Sequence, residues 1–143
     1  MLYNNDIVGT IPESYFKLQY LRTLYLPFNK LSGSINFPAK SLPMIRDIDF
    51  SHNLFNGTIS SAISSLNTLE VIDFQQNHFS GNIPDLSNLS KLAYLSLQSN
   101  FLTSSIPSYF GNFSQLVVLA LGNNFFGEDN NEIVAVLDVF YEF

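Results

Sequence analysis

Three carboxylates, Asp47, Asp49 and Asp73, are the groups in this sequence best spaced to act together, with Tyr25, Phe28, Gln75, Tyr94 and Gln98 at related spacings around them. Residues two apart on a strand point to the same side, so Asp47 and Asp49 share a face if that stretch is extended. Like charges set side by side on a sheet are destabilising, and such a patch therefore calls for a cationic group from a partner. Tyr25, Phe28 and Tyr94 would supply apolar anchors, Gln75 and Gln98 adaptable hydrogen bonds, and the carboxylates charge-assisted ones. The expected chemistry is recognition of a protein or peptide segment carrying Lys or Arg. A general acid–base pair is the competing reading, but an open strand face excludes little water and few other groups converge on it. Calcium would require about six to eight oxygen ligands. His52 and His78 are the only histidines and there is no cysteine. No catalytic residue, metal site or cofactor is expected.

What would bring those carboxylates together is a repeat. Asn5, Asn29, Asn53, Asn77, Asn100 and Asn124 follow one another at steps of 24, 24, 24, 23 and 24 residues. Before each of the last five the same apolar frame recurs. It reads Leu18, Leu21, Leu24 and Leu26, then Leu42, Ile45, Ile48 and Phe50, then Leu66, Leu69, Ile72 and Phe74. Leu89, Leu92, Leu95 and Leu97 follow, and finally Phe113, Leu116, Leu119 and Leu121. The closing step of two residues is strand periodicity with one buried side; the wider steps belong to a more helical return. A period of about 20–29 residues with Leu and Asn at fixed offsets marks a leucine-rich repeat. One such coil cannot bury its apolar side alone, so coils stack and share a core. The Asn is expected to turn inward and bond the backbone of the bend, forming a structural ladder through all six positions. Stacking places Asp49 beside Asp73, about 4.8 Å away from strand to strand.

After the Asn a second string recurs: Ile7, Gly9, Ile11 and Pro12; Leu31, Gly33 and Ile35; Phe55, Gly57 and Ile59; Phe79, Gly81, Ile83 and Pro84. The next copy, Leu102, Ser104, Ile106 and Pro107, has Ser in the glycine slot. This N-x-L-x-G-x-I-P pattern resembles the plant-type leucine-rich repeats of receptor-like kinases, receptor-like proteins and polygalacturonase-inhibiting proteins. The resemblance implies an α/β repeat solenoid, a right-handed superhelix of about five repeats, with a parallel β-sheet on its concave face and a second short strand at L-x-G-x-I. It implies a recognition module that takes a protein or peptide ligand, or a co-receptor, on the concave face. The alternatives are a secreted inhibitor similar to the polygalacturonase-inhibiting proteins and a truncated fragment with no activity of its own. No glycine-rich phosphate loop, H-R-D or D-F-G string occurs, so any kinase would lie in other sequence of the parent.

The array is expected over residues 1–127, starting in mid-repeat, with a non-repeat tail over 128–143. In that tail Ile133, Val136, Leu137 and Phe140 would form one side of a marginal helix, although its β-branched content equally permits a strand. The net charge of −6 argues against nucleic acid or an anionic membrane surface as partner. Sequons at Asn56, Asn88 and Asn112 read as glycosylation sites. They favour the extracellular side of the plasma membrane, or secretion, as part of a longer parent. Residues 1–6 lack the basic and apolar regions of a signal peptide, and no apolar run is long enough to insert in a membrane.

Overall fold

The computed structural model describes residues 4–38, 41–127 and 138–140. The four coils at Asn29, Asn53, Asn77 and Asn100 each begin with a strand of the long sheet, turn at the ladder Asn, and add a second strand. β1 is Val8–Gly9, β2 Thr23–Tyr25, β3 Lys30–Gly33, β4 Asp47–Asp49, β5 Leu54–Thr58 and β6 Val71–Asp73. β7 is His78–Gly81, β8 Tyr94–Ser96, β9 Phe101–Leu102, β10 Val118–Ala120 and β11 Asp138–Phe140. One sheet runs β1-β3-β5-β7-β9 and the other β11-β10-β8-β6-β4-β2. Every pairing is parallel except β10 with β11. The second strand expected at L-x-G-x-I is therefore present. The helical return consists of single 3-10 segments, Glu13–Lys17, Ser61–Ser65 and Ser108–Asn112.

The apolar frame fills the space between the two sheets. Leu42, Ile45, Ile48, Phe50, Leu69, Leu89, Leu92, Leu95 and Leu102 are completely shielded. A spine of phenylalanines joins the coils: Phe50 stacks on Phe74 with ring centroids 5.4 Å apart, and Phe74 on Phe79 at 5.3 Å. Phe55 lies 5.3 Å from Phe50 and 6.3 Å from Phe79. Leu18, assigned to the frame by its spacing, is instead 48% exposed. It borders an open depression of about 330 Å³ with Tyr15, Leu21, Leu24 and Leu26, on the side of its coil that no other described coil covers.

The Asn ladder closes the bend. Asn77 Nδ2 donates to the carbonyls of Phe74 and Gln75 in its own coil and of Phe50 in the preceding one, at 3.2, 3.2 and 2.9 Å. Its Oδ1 accepts from the Phe55 amide at 3.0 Å. Asn53, Asn100 and Asn124 repeat this set of four bonds. Asn29 accepts from Ile7 and donates within its own bend. Asn5 departs from expectation, since it is exposed; its coil has a described neighbour on one side only.

The bend also carries a backbone signature. The residue before each ladder Asn is left-handed: Asn4, Phe28, His52, Gln76, Ser99 and Asn123 have φ between 51° and 56°. The glycine slots are left-handed too, and Ser104, in the slot where Ser replaces Gly, is forced to φ 75°. In the tail, Asp138–Phe140 corrects the helix expectation: it is a strand, with Leu119 opposite Val139. The sheet edge at β10 offers unpaired backbone groups, and pairing satisfies them. Ile133, Val136 and Leu137 lie outside the described residues.

Two substitutions test the bend. Asn77→Ala leaves three carbonyls and one amide without that partner and should cost about 3 kcal/mol or more, whereas Gln76→Ala should stay within about 0.5–1 kcal/mol. Ser104→Gly should raise stability by about 0.5–1 kcal/mol by relieving the left-handed backbone. Urea midpoints at constant slope measure all three.

Candidate functional site

The outward positions of the long sheet form two rows. Tyr25, Asp49, Asp73, Ser96 and Ala120 are successive partners across β2, β4, β6, β8 and β10. Thr23, Asp47, Val71, Tyr94 and Val118 make the parallel row. Alternation is the cause: Leu24, Ile48, Ile72 and Leu95 enter the core and their neighbours turn to the other side, where Tyr25, Asp49 and Asp73 are partly exposed while Ser96 and Ala120 are buried. The structure thus brings Asp47, Asp49, Asp73, Tyr25 and Tyr94 onto one surface. Phe28 does not join them. It occupies the left-handed position of the bend and stacks on His52, with centroids 4.0 Å apart and planes 14° from parallel.

Each carboxylate is held. Thr23 Oγ1 donates to Asp47 Oδ2 at 3.1 Å. Asp49 Oδ1 accepts from the Ser51 amide at 2.9 Å and the Ser51 hydroxyl at 2.7 Å. Asp73 Oδ1 accepts from the Gln75 amide at 3.1 Å, and its Oδ2 from Gln75 Nε2 at 3.2 Å. The Gln98 amide nitrogen donates to Gln75 Oε1 in turn, so Gln98, Gln75 and Asp73 form one chain of bonds across two coils. The Tyr94 side chain also favours the ionised form of Asp73.

Burial pushes the Asp73 carboxyl up to about 6 and the Asp49 charge adds to the rise, against the bonds from Gln75 and Tyr94 that favour its ionised form. Burial likewise raises the Tyr94 hydroxyl, with Asp73 reinforcing it. Tyr25 is raised by burial first and then by Asp47, Asp49 and Asp73. The surface is a set of pre-oriented acceptors in which one carboxylate titrates near neutrality. Among the described residues no three His, Cys, Asp or Glu side chains are placed to share a metal ion.

Several features were not visible in the spacing. Thr23 orients Asp47 across the paired register and Ser51 orients Asp49 within its own bend. The residues just after the ladder Asn form an exposed ridge: His78 lies 5.7 Å from Phe101, which stacks on Phe125 at 6.0 Å. The aromatic residues recurring at that offset were the available signal. Asn56, Asn88 and Asn112 are all exposed, as glycosylation requires.

The fold and its bend are those of a leucine-rich repeat solenoid. The Leucine Rich Repeat family profile matches residues 68–89 and 91–113, and the repeats are of the kind carried by plant receptor kinases. The chain is 48% identical over 46 residues to the Receptor protein-tyrosine kinase CEPR2 of Arabidopsis thaliana, covering 32% of this chain and 5% of that protein. It superposes on the ectodomain of the Arabidopsis receptor kinase HAESA, bound to an extended IDA peptide hormone, with a TM-score of 0.83 and 35% identity. That match covers 87% of this chain and 21% of HAESA. HAESA with both IDA and the co-receptor SERK1 matches at 0.76 and 32% identity, over 87% of this chain and 21% of that one. The chain thus spans a small part of these relatives.

The raised Asp73 carboxyl sets a pH dependence. A carboxyl whose folded pKa lies above its unfolded value of 3.8 binds more protons when folded, so stability falls as pH rises from about 4 through about 6. Asp6, lowered by a hydrogen bond from Lys30, and Asp85, lowered by the Ser87 amide, act in the opposite sense and below that window. Asp73→Asn should flatten the decline in melting temperature between pH 4 and 7. An unchanged slope would remove Asp73 as its origin.

Proposed function

We propose that this chain is a recognition module of a plant leucine-rich-repeat receptor-like kinase or receptor-like protein, taking a peptide or protein ligand on the outward side of β2, β4, β6 and β8. The observation that carries this reading is the acceptor surface itself. Asp47, Asp49 and Asp73 project from neighbouring strands, each already held by a donor from its own coil or an adjacent one. A cationic side chain arriving there meets carboxylates that need no reordering, which favours affinity by reducing the entropy lost on binding. Tyr25 and Tyr94 flank the carboxylates with rigid surface of the kind enriched at binding hot spots.

The peptide hormone on HAESA and its assembly with SERK1 support a peptide ligand and a co-receptor here, and the lysine or arginine is the part that the carboxylates add. Location on the extracellular side is supported by the same likeness and by the three exposed sequons. Secretion from a eukaryotic host should then give a mass that drops on deglycosylation and on Asn88→Gln.

Panning the folded chain against displayed random peptides tests the site. Enriched peptides should carry Lys or Arg, and Asp49→Lys with Asp73→Lys should abolish their binding while the melting curve stays cooperative. Affinity should also weaken as pH is lowered through about 6, because protonating Asp73 removes one of the charges. Peptides without basic residues, or binding indifferent to both reversals, would place the site elsewhere.

A further inference from the structure

We infer that a second, oppositely charged site lies on the flank where the long-sheet strands begin, and that it takes an acidic segment of a protein partner. Five basic residues fall within the described residues: Lys17, Arg22, Lys30, Arg46 and Lys91. Lys17 pairs with Glu13 at 3.6 Å and Lys30 with Asp6 at 2.8 Å, both on the surface. The other three, Arg22, Arg46 and Lys91, converge on one depression of about 210 Å³, together with Pro43, Met44, Thr68 and Glu70.

Only one of these cations forms an ion pair among the described residues, Arg46 Nη1 lying 3.7 Å from Glu70 Oε1 with both side chains about half exposed. Arg22 and Lys91 form no ion pair among the described residues. The backbone fixes the arrangement: the Arg22 carbonyl accepts from the Arg46 amide at 2.8 Å, and the Arg46 carbonyl from Glu70 at 2.8 Å. Thr68 Oγ1 donates to the Ile45 carbonyl at 2.6 Å and so closes the floor.

In a chain of net charge −6, three of the basic residues gathered around one concavity make a local field opposite to the whole. Such local fields steer and orient partners. The rim is not purely ionic, since Met44 is 43% exposed and Pro43 is exposed beside it. An apolar rim beside cations suits a polypeptide better than a free anion. Arg22 to Lys91 spans four coils, about 14 Å at the inter-strand spacing, the reach of roughly four to five extended residues. Glu70 stands between Arg46 and Lys91, so the segment it suits has acidic groups towards both ends and a neutral one between.

The test uses a fluorescent hexaglutamate peptide on the full chain at low salt, with hexalysine and inorganic sulfate as comparators. Hexaglutamate should bind, and Arg22→Glu with Lys91→Glu should weaken it about tenfold or more. Asp49→Asn with Asp73→Asn should leave that binding intact while lowering the affinity for hexalysine. Arg22 and Lys91 are exposed and Asp49 and Asp73 partly buried, and a melting curve that stays cooperative confirms that each variant is folded. No hexaglutamate binding, or binding that survives the flank reversal, would overturn the site. Sulfate competing at equal charge concentration would reduce it to a small-anion site and overturn the polypeptide assignment. A flank that binds while the carboxylate surface fails, or the reverse, separates this inference from the proposed function.

Discussion

Everything in this molecule depends on a bond that reaches backward. The amides of Asn53, Asn77, Asn100 and Asn124 close their own bends, but two of the four partners of each belong to the coil before: for Asn53 these are the Leu26 carbonyl at 2.9 Å and the Leu31 amide at 3.0 Å. A coil therefore reaches its final geometry only when the next one docks on it. The buried groups involved leave no water to substitute, and the bend has one way to be satisfied. That constraint explains the left-handed residue before each Asn. The chain must reverse within one residue to aim the amide inward, and the position tolerates His52 or Gln76 in place of glycine because four bonds hold the Asn that follows.

Register follows from the same device. With each coil locked to its predecessor at the bend, Leu24, Ile48, Ile72 and Leu95 stand in one buried column and Tyr25, Asp49, Asp73 and Ser96 in the next. A slip of one residue would bury the carboxylates. The core thus sets where outward residues sit without constraining what they are. Asp73 shows how much local chemistry that freedom permits, since Gln75, Gln98 and Tyr94 surround it from its own coil and the next, and their packing removes enough water to shift its titration.

The frame of Leu42, Ile45, Ile48 and Phe50, and its copies, was legible because the shape of a coil admits apolar side chains only there, and periodicity reports it directly. Legibility failed where periodicity carries no information about neighbours. Leu18 obeys the same spacing as Leu42, yet it is open because one side of its coil is uncovered by any described residue, and Asn5 is exposed for the same reason. Phe140 is placed by its spacing on a marginal helical face, with a strand left open by the β-branched content, and the open edge of β10 decides for the strand over Asp138–Phe140. The carboxylate rows were readable as positions. Their hydrogen-bond donors were not, because Thr23 and Ser51 reach Asp47 and Asp49 only through geometry that spacing leaves unstated.

Segregation of charge follows from the coil rather than from the composition. Arg46 and Asp47 are adjacent in sequence, but the first precedes its strand and lines the flank, while the second lies within the strand and faces outward. Repetition then places Arg22 beside Arg46 and Asp49 beside Asp73, so single residues become stripes across coils. A net charge of −6 is consequently a poor guide to what approaches either surface, because the field near each is set by charges one inter-strand spacing away and falls off within about a Debye length. A partner that engages both surfaces must carry opposite charges about three strand residues apart, near 10 Å. That requirement on spacing is more selective than either charge alone.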